Sequence, residues 1–298
     1  CVVTNGTIIA GEDVSKIFLN TDGGTNGSTL TIEDGARIGP NVGIVVGATG
    51  GQNNTKLSYL HIKGGDLKLG RSGSYMYSLM VGSANSGSNS RGFAWMDGGT
   101  VEINADAVDS GTQMGGFQIA CKGGSYDNTT GTVSLVTGSA KVATIIMTSD
   151  WQPLQYAKGW RTGSHGEYVQ TGGTLETWKI FAGNMTVGGE LNTQVWRFLG
   201  GTGTIGSVTN GLFTTVDWLM DGYTVKALED TTAWFARDNG GAPANVQTFR
   251  IGENGLVFDT NGKNEVDTFY RRLHMTARQI VDRWGDKAPA NIRNVADI

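Results

Sequence analysis

The chain has 298 residues, of which 47 are Gly and 4 are Pro, so glycine is about twice as frequent as in an average globular protein. Collagen would need Gly at every third position with abundant Pro, and a low-complexity disordered chain would hold far less than the 38% apolar residues found, so both are excluded. With 23 Lys and Arg against 27 Asp and Glu the formal charge is −4; there is no basic field for nucleic acid, and no run approaches the ~18 apolar residues of a membrane-spanning helix.

The first residue is Cys, and Val2, Val3, Ile8 and Ile9 follow at once. The chain is read as a processed, secreted form; lipidation of Cys1 is the lesser reading, because a lipid anchor would be followed by a flexible polar tether. Residues 1–16 are taken as an N-terminal extension or cap. Cys1 and Cys121 are the two cysteines. They allow one disulfide, an intermolecular bond or two free thiols, but make neither a disulfide framework nor a metal site. Asn-x-Ser/Thr triplets begin at Asn5, Asn26, Asn53, Asn128 and Asn184. In so Thr- and Asn-rich a chain they read first as turn chemistry and second as glycosylation sites.

Residues 17–262 read as short strands broken by glycine. A unit of alternating apolar residues, a Gly or Gly-Gly corner and a second alternating segment recurs as Leu30–Ile38, Leu60–Leu69 and Trp95–Ile103. Weaker copies include Gly131–Leu135, Tyr168–Leu175, Trp196–Ile205 and Glu253–Phe258. The glycines ahead of the second segment fall at 35, 65, 99, 131, 173 and 201, which are steps of 30, 34, 32, 42 and 28. A third apolar segment follows the early copies: Ile44–Val46, Leu79–Val81, Phe117–Ile119 and Ile145–Met147. Three short strands per irregular repeat fit one coil of a parallel β-helix, a solenoid whose tight corners call for residues without a Cβ. Alternation would then turn Thr31, His61, Lys68, Glu102, Ser134 and Arg197 outward. Residues 206–250 carry no clear copy, which leaves room there for a sandwich or β-roll insertion.

Composition changes near residue 262: 46 Gly and 38 charged residues precede that point, against one Gly and 12 charged in the last 36 residues. In 263–298, Val266, Phe269, Tyr270, Leu273, Ala277, Ile280, Val281 and Trp284 recur at spacings of three and four. An amphipathic helix is predicted over about 265–284, with Asn264 at its N-cap and Gly285 after its last apolar residue. Its arginines and His274 lie mainly off the apolar stripe and read as a solvated face.

The Gly-Gly-Thr/Asp corners, the Thr- and Asn-rich turns and the stretch Phe258-Asp259-Thr260-Asn261-Gly262 resemble the glycine-rich right-handed β-helices of autotransporter passenger domains, bacterial adhesins and pectin-lyase-like surface proteins, over about 17–262. The resemblance implies an all-β, right-handed parallel β-helix carrying a C-terminal amphipathic α-helix. It implies no single activity, because adhesins, filaments, phage tailspikes and polysaccharide-cleaving enzymes share the coil. Repeat length varies more here than in a regular passenger domain. The alternative fold is a β-sandwich or jelly roll, which predicts hairpins between neighbouring strands.

Chemistry is thinly marked. His61, His165 and His274 have no partners at useful spacing, and no zinc spacing, nucleophile elbow or phosphate loop occurs; no cofactor or metal is implied. Enzymes on such a fold align carboxylates on one exterior face. Asp217 and Asp221 are the weak catalytic candidates, with Asp106 and Asp109 behind them, and turn or strand-end roles compete with each. Flat aromatic rings stack on sugars, so Trp151, Trp160 and Trp178, near the longest repeat, are the candidate carbohydrate-binding residues; interior packing is the commoner fate of Trp.

The ends of stacked strands must be covered or they pair with another molecule. Val2, Val3, Ile8, Ile9, Phe269, Tyr270 and Trp284 are therefore the candidate assembly interface. The expected function is a secreted or cell-surface structural protein that self-assembles into a filament or surface layer. Its alternatives are a glycan-binding adhesin or phage-type receptor-binding spike, and a polysaccharide lyase or hydrolase.

Overall fold

In the computed structural model, residues 1–9, 15–19, 27–47, 57–70, 79–82, 91–103, 116–119, 123–128, 132–134, 144–147, 165–182, 192–210, 214–229, 234–237 and 247–263 are described. The alternating segments form strands, and no helix occurs among the described residues. The helix expected over 265–284 lies outside them.

One sheet has nine strands in the order β1 (Val2–Val3), β4 (Ser28–Ile32), β6 (Leu57–Ile62), β9 (Arg91–Met96), β12 (Gly123–Asn128), β15 (His165–Gln170), β17 (Asn192–Phe198), β19 (Thr214–Met220) and β22 (Gln247–Ile251). The other has fourteen. Nine of them follow the corners: β2 (Thr7–Ile8), β5 (Arg37–Val46), β7 (Asp66–Leu69), β10 (Thr100–Ile103), β13 (Thr132–Ser134), β16 (Thr174–Ala182), β18 (Thr202–Asn210), β20 (Tyr223–Ala227) and β23 (Leu256–Asp259). The rest are the third segments β3 (Ser15–Leu19), β8 (Leu79–Val81), β11 (Gly116–Ile119), β14 (Thr144–Met147) and β21 (Trp234–Arg237). In β5, β16 and β18 the second and third segments run on as one long strand.

Every described pairing is parallel, and each strand pairs with its counterpart in the next repeat. The hairpin-linked neighbours of a jelly roll do not occur among these pairs. Thr31 faces His61, His61 faces Trp95, Met96 faces Asn128, Asn128 faces Gln170 and Gln170 faces Phe198. From strand to strand these pairs repeat, one for one, the spacings of the marker glycines.

One expectation is corrected. Residues 206–250 hold no separate unit among the described strands: β19, β20 and β22 continue both sheets, with Met220 opposite Phe198, Thr224 opposite Thr202 and Ile251 opposite Met220. Near the N-terminus β1, β2 and β3 pair with the body, Val2 with Thr31, Thr7 with Arg37 and Ser15 with Val42, and make the first described repeat.

The corners explain part of the glycine content. Gly35, Gly65, Gly99, Gly173, Gly201, Gly222 and Gly255 each stand at a corner between the two sheets, all with φ between 65° and 90°. At Gly99 a Cβ would stand 2.6 Å from the backbone of Gly64 and Gly65, so the close approach of successive corners requires glycine as much as the left-handed φ does. In the first repeat Asn5, φ 49°, takes this position, as Asn is able to do.

Apolar side chains from both sheets meet in a single core. In the early repeats it is aliphatic, with Leu30, Ile32, Ile38, Leu60, Ile62, Leu67 and Val101 buried. From β15 onward rings replace them: Tyr168, Trp196, Phe198, Trp218 and Tyr223 are fully buried. Trp196 and Trp218 stack at 5.2 Å and 14°, and Phe198 and Tyr223 meet at 4.8 Å.

Candidate functional site

The outer face of the nine-stranded sheet is built by the residues between the buried ones. Thr31, His61 and Arg197 stand there, and Lys68 and Glu102 stand on the outside of the other sheet, as alternation predicts. The side chain of Ser134 is outside the described residues. Opposite charges on successive strands pair along this exterior: Lys63 with Glu33 at 3.5 Å, Arg197 with Glu167 at 3.1 Å, Arg250 with Asp217 at 2.5 Å, and Lys68 with Glu102 at 3.9 Å. Solvent screens such exposed pairs, so they add little to stability. Glu33 also accepts a bond from the Thr4 hydroxyl at 2.8 Å; that bond first, and the Lys63 charge second, hold its carboxyl below the usual range.

One stretch of this face departs from the polar pattern. On β6 and β9, Tyr59 stands opposite Phe93 and His61 opposite Trp95. Tyr59 and Phe93 stack at 5.7 Å and 22°, Tyr59 meets Trp95 edge-on at 5.9 Å, and the His61 and Trp95 rings lie 4.7 Å apart. All four are half-buried and none belongs to the core. His61 Nε2 lies 2.6 Å from Asp97 Oδ2, which holds the imidazole at the edge of the row. Read from the sequence, Trp95 only opens one copy of the repeat and His61 stands alone. The register turns Trp95 outward and gives His61 aromatic neighbours; aligning Met96-Asp97-Gly98-Gly99 on Ile62-Lys63-Gly64-Gly65 is the signal that pairs them.

Among the described residues, the sequence-predicted site residues are not gathered. Asp217 projects from β19 to Arg250, and Asp221, at the corner before β20, accepts bonds from the Asn254 backbone N–H at 2.6 Å and its side-chain amide at 3.2 Å. Each carboxylate serves the next repeat. Trp178 is half-buried on β16, while Trp151, Trp160, Asp106 and Asp109 lie outside the described residues. Cys1 is an exposed free thiol, its amino group donating to the Thr29 carbonyl at 2.8 Å, and Cys121 lies outside the described residues. Val2 and Ile9 are 62% and 68% exposed, Val3 and Ile8 pack partly against the core, and Phe269, Tyr270 and Trp284 lie outside the described residues. Among the described residues no three His, Cys, Asp or Glu side chains converge as a metal site, and no helix is long and apolar enough to cross a membrane.

Inside, Gln170 sets a polar group among the rings of the aromatic core. Gln170 Oε1 accepts bonds from the hydroxyls of Tyr168 at 3.2 Å and Tyr223 at 3.0 Å, and its amide donates to the Gly173 carbonyl at 3.4 Å. Burial pushes the Tyr223 phenol well above its ordinary range, and the Gln170 bond offsets part of that. This cluster has no opening to solvent, since all three residues are fully buried; its work is packing.

Comparison with known proteins finds no matching family model, no matching curated sequence and no matching solved structure.

Proposed function

We propose that the two sheets are the walls of a right-handed parallel β-helix of the glycine-rich surface-protein kind, and that the chain is a secreted or cell-surface structural protein that associates end to end. The parallel, one-strand-per-repeat pairing supports the helix. The observation that carries the association is the contrast between inner and terminal repeats. Among the described residues, side-chain rows that are sealed inside are less covered in the outermost strands: Ile32 and Ile38 are 0% and 1% exposed while their neighbours Val3 and Ile8 are half-buried, and Trp218 and Val225 are 0% and 1% exposed while Phe249 and Phe258 are half-buried. Among the described residues β1 and β22 each have one neighbour. Two different ends that satisfy each other make a heterologous contact, which propagates as an open filament.

Negative-stain electron microscopy over a concentration series tests this. The proposal expects filaments or layers that disappear in Val3→Lys and Ile8→Lys; dispersed particles at every concentration would refute it. The lyase or hydrolase reading gains nothing from Asp217 and Asp221, whose carboxylates are each bonded to the following repeat.

A further inference from the structure

We infer that the row Tyr59, Phe93, Trp95 and His61 on the outer face of the nine-stranded sheet binds a neutral glycan chain. The inference is independent of end-to-end association, because the row lies on the side of the sheet and away from its terminal strands. Four rings on a solvent-facing surface are not required by the core, which excludes them. At the equivalent places on later strands the two rows run Glu167, Val195, Asp217, Thr248 and Val169, Arg197, Leu219, Arg250, which are charged, aliphatic or hydroxyl residues without a ring.

The rings touch in sequence, Phe93 stacked on Tyr59 at 5.7 Å, Tyr59 edge-on to Trp95 at 5.9 Å and Trp95 tilted against His61 at 4.7 Å, and so form one apolar platform two strands wide. Its footprint is roughly 5 Å across the strands by 7 Å along them between ring-bearing Cα positions. That matches one or two sugar rings and is far below the ~800 Å² per partner of a stable protein interface. A pyranose presents an apolar C–H face and a rim of hydroxyls, so its site needs flat apolar rings bordered by a few hydrogen-bonding groups. The border exists: Thr29 and Thr31 stand opposite Tyr59 and His61 on β4, and the Asp97 carboxylate, 47% exposed, lies beyond His61. Charge narrows the class. Among the described residues at the border Glu33 is paired with Lys63 and Asp97 is hydrogen-bonded to His61, so no cluster of cations stands ready for a uronic acid and no cluster of carboxylates for an amino sugar.

The test is isothermal titration of the full chain with cellohexaose, maltohexaose, mannohexaose and xylohexaose, with polygalacturonate as the charged comparison, alongside tryptophan emission. At least one neutral oligosaccharide is expected to bind and shift the emission. Trp95→Ala and Tyr59→Ala should each weaken that binding by about tenfold or more. Since truncation could disturb packing, Trp95→Lys and Tyr59→Lys, which keep long side chains at these half-exposed sites, should also abolish binding with an unchanged circular dichroism spectrum. Three results would overturn the inference: no neutral saccharide binding up to about 10 mM, undiminished binding in the Trp95 and Tyr59 variants, or preference for polygalacturonate. A change in sedimentation coefficient caused by Trp95→Lys would identify the row as a protein contact and would also overturn it.

Discussion

The interior of the early repeats and that of the late repeats solve one packing problem in two ways. Between β4 and β9 the inward rows run Leu30, Leu60, Ala94 and, beside them, Ile32, Ile62, Met96. Between β15 and β19 the same rows run Tyr168, Trp196, Trp218 and, beside them, Gln170, Phe198, Met220. Fewer residues separate paired positions in the second set than in the first, so the shorter repeats carry the larger side chains. Aliphatic residues fill their rows locally, each methyl resting on the same kind of group one strand away. Rings must be accommodated across repeats: Tyr223 fits because Gly203, one repeat earlier, has no Cβ to overlap its hydroxyl, and Gln170, two repeats earlier, accepts its hydrogen bond.

The largest way to break this arrangement is to remove a ring from the stack. Trp218→Ala should cost about 3–5 kcal/mol in denaturant unfolding. Leu60→Ala, its aliphatic counterpart, should fall lower within the ~2–5 kcal/mol range for such truncations, because its smaller cavity is easier to close. Equal losses would erase the distinction between the two halves.

Next in size is the space left by Gly203. Gly203→Ala places a methyl where the Tyr223 hydroxyl stands and should cost about 1–3 kcal/mol. Combining it with Tyr223→Phe, which deletes that hydroxyl, should return part of the loss; strict additivity would show that the two residues do not share the space.

The smallest effect concerns pH. Tyr223→Phe alone should cost about 1 kcal/mol at neutral pH. In the folded chain burial keeps the Tyr223 phenol protonated, whereas the unfolded chain releases that proton above about pH 10. The unfolded state then binds fewer protons than the folded one, so stability falls as pH rises past 10, by about 1.4 kcal/mol per pH unit from this group. Unfolding followed from pH 8 to 11 should show a shallower decline in Tyr223→Phe; parallel curves would place the phenol in contact with water.

The same contrast decides what is legible in the sequence. The early repeats can be read because alternation and the corner glycine lie within one segment, as in Leu60-His61-Ile62-Lys63-Gly64-Gly65. The repeat at 214–227 cannot, because Gly222 follows Met220 by two residues where Gly201 follows Phe198 by three, and the room for the Tyr223 ring is made at Gly203. The first repeat is disguised because Asn5 takes the left-handed corner that Gly35 takes next. The aromatic row on the outer face is hidden for a related reason: Tyr59 and Phe93 are neighbours across a sheet but a whole repeat apart in the chain, and only the pairing shows that Met96, not Trp95, continues the inward row of Ile62. Local pattern reveals strands and corners, and pairing between repeats creates surfaces.

The central claim, one parallel strand per repeat along a single sheet, is tested most directly by electron–electron spin distances in a Cys1→Ser, Cys121→Ser background. Labels at Thr31 and Arg197 are five strands apart, and labels at Thr31 and Arg250 seven. At ~4.8 Å per strand the Cα separations should be about 24 and 34 Å, increasing with strand rank. A Thr31 to Arg250 separation equal to or shorter than that from Thr31 to Arg197 would contradict the stacking.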